Sequence, residues 1–161
     1  TINDPSSQHG FNPVYRMEVD SFMLVERVTA TIDGYNVPVY EMDSHVYSIE
    51  PPTNGLMEVT VTLVNRQRTT QYVEVTTVDR EVPTATACTK DGDLINLYLS
   101  DGLSGVDFEK LRAVDLDGRE VVPISIDEKT GCVTFDDVNS TLNVFVPDAA
   151  GNQLHLIISL Q

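Results

Sequence analysis

Apolar and polar residues alternate along almost the whole chain, and this pattern constrains the fold more than any other feature of the sequence. Val59, Val61 and Leu63 alternate with Thr60 and Thr62, and similar short segments rich in β-branched residues recur between Asp-Gly, Thr-Gly and Gly-Asn pairs. Successive side chains of a β-strand point to opposite faces, so this alternation predicts strands with one buried face. We find no convincing helical periodicity. The sequence therefore predicts an all-β fold built from antiparallel sandwiches.

The chain also repeats itself. The segment Val25–Asp43 aligns with Phe108–Asp127, since both read as a strand, an Asp-Gly turn and a strand that carries Val-Pro. Farther along, Glu58–Val75 aligns with Thr141–Ile158, and each contains two strands joined by a short turn. A repeated unit of this kind indicates tandem copies of one domain.

The join between the copies lies within Val78–Ala87, where a strand ends in charged residues and Val82-Pro83 opens the next unit. We therefore predict two domains, residues 1–80 and 81–161, connected by a short and fairly stiff linker. The first copy looks short at its start. Residues 1–13 must supply its opening strand, or that strand is missing.

Charge and hydropathy exclude several classes of function. The net charge is −15 on 161 residues, and a charge of this sign repels nucleic acid and anionic membranes. No apolar run is long enough to span a bilayer. We expect no nucleic-acid partner and no membrane insertion. The acidic surface either keeps the protein soluble or includes carboxylates that bind calcium.

The two cysteines, Cys88 and Cys132, are far apart in sequence and do not form a Cys-x-x-Cys motif. A small domain stabilised by disulfides has more of them. The two could pair, but the composition favours two buried free thiols.

Five short motifs resemble the tandem bacterial immunoglobulin-like domains of secreted and surface proteins, especially those of Gram-positive bacteria. They are the Val-Pro-Thr at residues 82–84, SDGLSGVD at 100–107, DLDGREV at 115–121, KTGCVTF at 129–135 and VPDAAGN at 146–152. The resemblance covers residues 83–161 and is looser over 14–80, where VNRQRTT replaces the Asp-Ala-Ala-Gly-Asn turn. It implies immunoglobulin-like sandwiches that serve as spacers, adhesive modules or accessory modules beside catalytic domains.

Two of these motifs raise the question of a metal site. In an immunoglobulin-like sandwich, the loop after the second strand and the loop before the last strand lie at the same end. This would bring together Asp101, Asp107 and Asp148, whose carboxylates are ligands that calcium prefers. The alternative is that Asp and Asn bond their own backbone in turns and that Gly151 supplies a left-handed position. No EF-hand loop is present. The sequence predicts calcium at these three residues as one of two readings.

A second candidate site is an apolar patch. If Val144 and Val146 point inward, then Phe145 points outward, and Ile157 on the next strand does the same. With Val114 and Leu116 these residues would form an exposed apolar surface, and such surfaces often mark contacts with partners. The alternatives are that this face packs on a neighbouring domain or that the register is shifted by one residue.

The sequence contains little that indicates catalysis. His9, His45 and His155 have no partner at metal-ligand spacing, and neither a His-Glu-x-x-His nor a Gly-x-Ser-x-Gly motif occurs. We expect no catalytic residue and no enzymatic activity. A sugar-stacking face is a further possibility in the first copy, or its tyrosines are ordinary strand residues with a polar tip. These tyrosines are Tyr35, Tyr40, Tyr47 and Tyr72.

The sequence thus predicts a non-enzymatic spacer or adhesion module. The chain would be a fragment of a larger extracellular or cell-surface protein, and the resemblance implies a Gram-positive bacterium as its source. Its expected partners are other domains of the same parent protein, with a host protein or a glycan as a further possibility. The alternatives are a glycan- or protein-binding module and an accessory domain of a secreted hydrolase.

Overall fold

The computed structural model describes residues 1–3, 9–136 and 141–159, and the chain divides into two compact units, Thr1–Asp79 and Arg80–Gln161. Every strand pairing within its sheets is antiparallel, and the described residues contain no helix. The predicted all-β sandwich fold is confirmed. Among the described residues there is accordingly no helix long and apolar enough to cross a membrane.

Unit 1 contains two four-stranded sheets. Sheet I has the strand order β1-β2-β6-β5, and sheet II has the order β4-β3-β7-β8. The strands are β1 (Ile2–Asn3), β2 (Tyr15–Glu18), β3 (Val25–Ile32), β4 (Tyr35–Val37), β5 (Val39–Asp43), β6 (Val46–Ile49), β7 (Gly55–Leu63) and β8 (Arg68–Val75).

The core of unit 1 forms where the inner faces of these sheets meet. Tyr15 and Ile49 of sheet I are fully buried, as are Met57 and Val59 of sheet II. The Tyr15 hydroxyl lies 3.2 Å from Oγ1 of Thr77, so its polar end has a partner inside the core. The alternation seen in the sequence thus becomes one apolar face on each sheet.

Unit 2 also contains two sheets, one of four strands and one of three. Sheet III has the order β12-β13-β10-β9, and sheet IV has the order β11-β14-β15. The strands are β9 (Thr84–Asp91), β10 (Leu94–Ser100), β11 (Arg112–Val114), β12 (Ser125–Asp127), β13 (Cys132–Asp136), β14 (Leu142–Pro147) and β15 (Gln153–Ile158). Its core is separate from that of unit 1 and consists of Ile95, Leu97, Leu99, Ala113, Val133, Phe135, Leu142, Val144, Val146 and Ile158.

The opening strand of each unit lies at the edge of its first sheet. In unit 2, the eight-residue β9 pairs with every residue of β10, from Leu94 to Ser100. In unit 1, β1 occupies the same edge of the equivalent sheet, where Ile2 and Asn3 pair with Met17 and Arg16. Residues 1–13 therefore supply an opening strand to the first copy.

The apolar side of the segment between β11 and β12 faces solvent and not the core. Val122, Ile124 and Ile126 alternate with Pro123 and Ser125 in the sequence, but they are 77%, 56% and 41% exposed. Val121 packs against the core instead. The chain leaves sheet IV at Glu120, which bridges to Val114, and joins sheet III at β12. This crossing turns the apolar side outward.

Both cysteines are free, but the prediction that they are buried is wrong for Cys88, which is exposed, and only partly right for Cys132, which is half-buried. Cys88 lies on β9 and Cys132 on β13, and these strands flank β10 on opposite sides. Partial desolvation nevertheless raises the pKa of Cys88 above its usual range.

Candidate functional site

The loop that follows β10 and the turn that precedes β15 are joined by backbone hydrogen bonds at one end of unit 2. Val106 forms an isolated antiparallel bridge with Asp148. The Asp107 amide donates to the Pro147 carbonyl over 2.9 Å, and the Ala149 amide donates to the Gly105 carbonyl over 3.0 Å. The two Asp- and Gly-rich motifs of the sequence are therefore neighbours in the fold.

Asp148 is the anchor of the second turn. It is 3% exposed, and its Oδ1 accepts the Asn152 amide over 2.7 Å. Its Oδ2 accepts the Asn152 side-chain Nδ2, also over 2.7 Å. The buried carboxylate of the first residue of the Asp-Ala-Ala-Gly-Asn turn thus bonds the last residue. This explains why the motif has an Asp at its start and an Asn at its end.

Asp101 holds the first loop with one oxygen. Its Oδ1 accepts the amides of Leu103 and Gly105, at 2.8 and 3.2 Å. Its Oδ2 is inaccessible to solvent and has no hydrogen-bond partner among the described residues. A carboxylate oxygen of Asp101 lies within 4.8 Å of one of Asp148. A cation between the two carboxylates would supply the partner that Oδ2 lacks and would reduce their mutual repulsion.

Asp107 does not belong to this pair of carboxylates. Its Oδ2 forms a 3.1 Å ion pair with Nζ of Lys110, three residues later, and its backbone is bonded to Pro147. Of the three residues predicted to bind calcium, the structure brings together Asp101 and Asp148 and directs Asp107 elsewhere. Calcium at Asp101 and Asp148 remains a prediction.

The predicted apolar patch lies on the outer face of sheet IV. Phe145 pairs with Arg112 on one side and with His155 on the other, so these residues form a row across three strands. Asn143, between Val114 and Ile157, forms the neighbouring row. Side chains in such cross-strand rows are direct neighbours.

The polar members of this face are held in place. The rings of Phe145 and His155 are stacked, with centroids 4.6 Å apart and an interplanar angle of 9°. His155 Nε2 is 3.0 Å from Oδ1 of Asn143. Arg112 forms two hydrogen bonds to Oε1 of Glu120, at 3.1 and 2.8 Å. The face is therefore preorganised, with its polar groups paired within the face.

The apolar members differ in their placement. Ile157 is 67% exposed, while Phe145 and Val114 are half-buried on the same face. Leu116 is exposed in the turn that follows β11 and not on a strand. Val122, two residues after the bridge at Glu120, is also exposed and was not among the residues predicted for this patch.

The tyrosines of unit 1 do not form one stacking platform. Tyr47 lies in the core, where burial and then the nearby Glu41 carboxylate raise its pKa. Tyr40 is on β5 of sheet I, whereas Tyr35 and Tyr72 are on β4 and β8, the two opposite edges of sheet II. The exposed tyrosines therefore have no common face on which a sugar could stack.

No protein-family model matches the sequence, and no curated protein matches it significantly. Among solved structures, the chain is similar to a trimodular GH5_4 subfamily endoglucanase, with 12% identity and a TM-score of 0.43 over all of this chain and 36% of that one. The chain thus spans about a third of the endoglucanase's length.

Two further solved structures are similar over nearly their whole lengths. The fibronectin(III)-like modules of Clostridium thermocellum CbhA have 15% identity and a TM-score of 0.36, over 100% of this chain and 94% of that one. The Pseudomonas aeruginosa CupB2 chaperone has 16% identity and a TM-score of 0.30, over 98% of this chain and 100% of that one. These similarities do not extend beyond the all-β fold.

Proposed function

We propose that the chain is a non-enzymatic adhesion module of an extracellular or cell-surface bacterial protein, and that it binds a protein partner through the outer face of sheet IV. One observation carries the proposal: Arg112, Phe145 and His155 form a fixed row across the sheet, next to the exposed Ile157. The bacterial extracellular setting is supported by the motif resemblance and by the acidic surface.

The composition of this face matches that of a reversible protein interface. Such interfaces combine aromatic residues and Arg with aliphatic side chains, and they are no more apolar overall than the rest of a protein surface. The Arg112–Glu120 and His155–Asn143 contacts already fix the polar side chains, so little side-chain entropy remains to be lost on binding.

The charge around the face indicates the chemistry of the partner. Asp115 and Asp117 lie in the turn next to Leu116, and the whole chain carries −15. We therefore propose a folded protein with an apolar centre and a basic rim, because complementary potentials favour encounter and register. A glycan is disfavoured, since one face of the Phe145 ring is covered by His155 and the tyrosines of unit 1 are dispersed.

The test is a binding screen with the 161-residue chain against purified extracellular matrix proteins and a glycan array. Phe145→Ser and Ile157→Ser are the variants, and Leu56→Ser is the matched control, because Leu56 is an exposed aliphatic residue in the other unit. We expect at least one protein to bind, with loss of binding in the first two variants and not in the control.

Three results would contradict this proposal. Binding to glycans alone would favour the sugar-binding alternative. Protein binding that survives Phe145→Ser would move the interface to another surface. A complete absence of binding would favour a spacer. A thermal melt of each variant separates a damaged interface from a damaged fold.

A further inference from the structure

The positive charge of unit 1 is concentrated at one end of sheet II. The unit contains four arginines and no lysine, and one of them, Arg16 on sheet I, forms a 3.0 Å ion pair with Glu18. The other three lie where β3 begins and where β7 turns into β8, and they are Arg27, Arg66 and Arg68. All three are exposed, and no residue that the structure describes forms an ion pair with them. Three free cations in one place are a local exception in a chain that carries −15.

Strand pairing places two of these arginines on either side of one threonine. Arg27 of β3 pairs with Thr62 of β7, which in turn pairs with Arg68 of β8. The face is the outer one, since the adjacent Val61 packs against the core. Because paired residues share a face and neighbouring strands lie roughly 5 Å apart, the two arginines are spaced by roughly 10 Å. Thr62 is only 6% exposed on this outer face, as expected for a short side chain flanked by two long ones.

The backbone departs from regular geometry at two of these arginines. The register of β3 against β7 shifts between Val25 and Arg27, so that Val25 packs on the core while Arg27 is exposed, whereas these two residues would share a face in a regular strand. Arg66 has a φ of +70°, in the left-handed region that Gly or Asn normally occupies. An arginine that is kept where glycine would cause less strain indicates a role for its side chain.

The row next to Arg27, Thr62 and Arg68 carries hydroxyl groups. It consists of Thr29, Thr60 and Thr70, which pair across the same three strands, and the Oγ1 atoms of Thr60 and Thr70 lie 3.0 Å apart. The two rows therefore contain guanidinium and hydroxyl groups and no aliphatic or aromatic side chain. Protein interfaces have an apolar centre, so this surface does not have the composition that suits a folded protein partner.

We propose that this end of sheet II binds a linear acidic polysaccharide. A guanidinium group offers a planar fork of donors that matches a carboxylate or a sulfate, so Arg27 and Arg68 each bind one anionic group of the polymer. Their spacing of roughly 10 Å suits anionic groups on every second sugar. Thr29 and Thr70 are exposed, and their hydroxyl groups can donate to or accept from the hydroxyl groups of the sugar.

Two properties of the molecule are compatible with this ligand. Binding through charge and hydroxyl groups needs no aromatic platform, and the exposed tyrosines of unit 1 do not form one. The acidic surface elsewhere does not cancel the attraction, because exposed charges are screened over roughly 8 Å at physiological ionic strength. Nucleic acid fits less well, since three arginines can neutralise only a few of its closely spaced phosphates.

The probes are two fluorescein-labelled octasaccharides, one of heparin, with sulfate and carboxylate groups, and one of polygalacturonate, with carboxylates alone. An octapeptide of glutamate and a single-stranded DNA octamer with the same label are the competing polyanions. Binding to the full chain is measured by fluorescence anisotropy between about 50 and about 200 mM salt. The variants are Arg27→Gln, Arg68→Gln and Arg66→Gly. Arg16→Gln is the matched control, because it removes one positive charge from sheet I instead.

We expect saturable binding of at least one octasaccharide, weakened by about fivefold or more in Arg27→Gln and Arg68→Gln and unchanged in Arg16→Gln. Binding of heparin alone would identify sulfate as the group recognised, and binding of both would show that a carboxylate suffices. Arg27→Gln and Arg68→Gln should each reduce the slope of log K against log salt concentration by about 1, because one charged contact is lost. Arg66→Gly should weaken binding and raise the melting temperature, since glycine adopts a positive φ without strain. A purely structural role of Arg66 in the turn would not weaken binding.

The proposal is overturned if neither octasaccharide binds at about 1 mM, or if the glutamate octapeptide or the DNA binds as tightly as the saccharides. It is also overturned if Arg16→Gln weakens binding as much as Arg68→Gln does, because net charge and not position would then explain the effect. Thermal melts of every variant separate a lost contact from a damaged fold. All of these variants lie in unit 1, so their outcome is independent of the adhesion proposal, which concerns sheet IV.

Discussion

The carboxylate of Asp148 accepts two hydrogen bonds from a single residue, Asn152, one from its main-chain amide and one from its side-chain amide, both at 2.7 Å. Both residues are buried. The pair therefore closes the turn before the last strand and also satisfies a charge that would be costly to leave unpaired inside the protein.

This pairing predicts a large effect of a small truncation. Asn152→Ala removes the side-chain donor from a buried carboxylate and should lower the free energy of unfolding of unit 2 by about 2–3 kcal/mol. Asn65→Ala is the control, because Asn65 makes comparable bonds at an exposed hairpin tip and should cost about 0.5 kcal/mol. Urea titrations measure both values. Equal effects would show that the Asp148–Asn152 contact has no special role.

The calcium prediction is now restricted to two residues. A ligand present at about 100 times its dissociation constant stabilises the folded state by ~2.7 kcal/mol, which raises the melting temperature of a domain of this size by roughly ten degrees or more. We expect millimolar calcium to raise the melting temperature relative to EDTA in the wild type, and Asp101→Asn and Asp148→Ala to abolish the rise.

Asp107→Asn is the matched control for calcium, because Asp107 is paired with Lys110 and should leave the rise intact. Identical melts in EDTA and calcium would show that the two loops are turns and nothing more. A rise that depends on Asp107 would contradict the geometry described above.

Gly131 should tolerate no side chain. It has a φ of +72°, and a Cβ atom built on it would lie 2.1 Å from the Leu99 carbonyl oxygen, which belongs to the neighbouring strand. Gly131→Ala should therefore cost about 3 kcal/mol or more. Gly92 also has a positive φ, but it has open space around it, so Gly92→Ala should cost only about 1 kcal/mol. Thermal melts that rank the two variants in the opposite order would refute this assignment.

The raised pKa of Tyr47 predicts that the protein loses stability at alkaline pH. Burial, followed by Glu41, raises its pKa in the folded state above the usual value of 10.0. The unfolded chain therefore loses this proton at a lower pH than the folded chain does. The stability associated with the neutral phenol is fully present below pH 10 and is lost as the pH rises through the folded pKa.

The variant Tyr47→Phe removes this titration. It should flatten the decrease in the free energy of unfolding between about pH 9 and pH 11, measured by urea unfolding at each pH. Tyr40→Phe is the control, because it removes the hydroxyl of an exposed tyrosine from the same sheet. A profile that is the same for all three proteins would assign the alkaline transition to other groups.

The fold was predictable because alternation and turn residues act locally. The pairing of Val59 and Val61 on one face of β7 follows from strand geometry alone. The pattern does not say which face is inward when a strand changes sheets, and for this reason the exposure of Val122 and Ile124 could not be read from the sequence.

The candidate site was predictable only in part, for a similar reason. The shared end of Asp101 and Asp148 follows from the order of strands in an immunoglobulin-like sandwich. The Asp107 carboxylate lies apart from the other two because it pairs with Lys110. The exposed tyrosines Tyr35, Tyr40 and Tyr72 lie far from one another because of the strands that form the sheet edges. Composition and spacing contain no information about either.

The two separate cores have a mechanical consequence. Each unit is held by its own set of buried side chains, and no core residue is shared. A pulling force on the ends of the chain can therefore unravel one unit while the other keeps its core. Unit 1, with 79 residues (Thr1–Asp79), would release roughly 260 Å of extended polypeptide. A chain built in this way would yield in two steps and absorb work at each, as a tether that lengthens before it breaks.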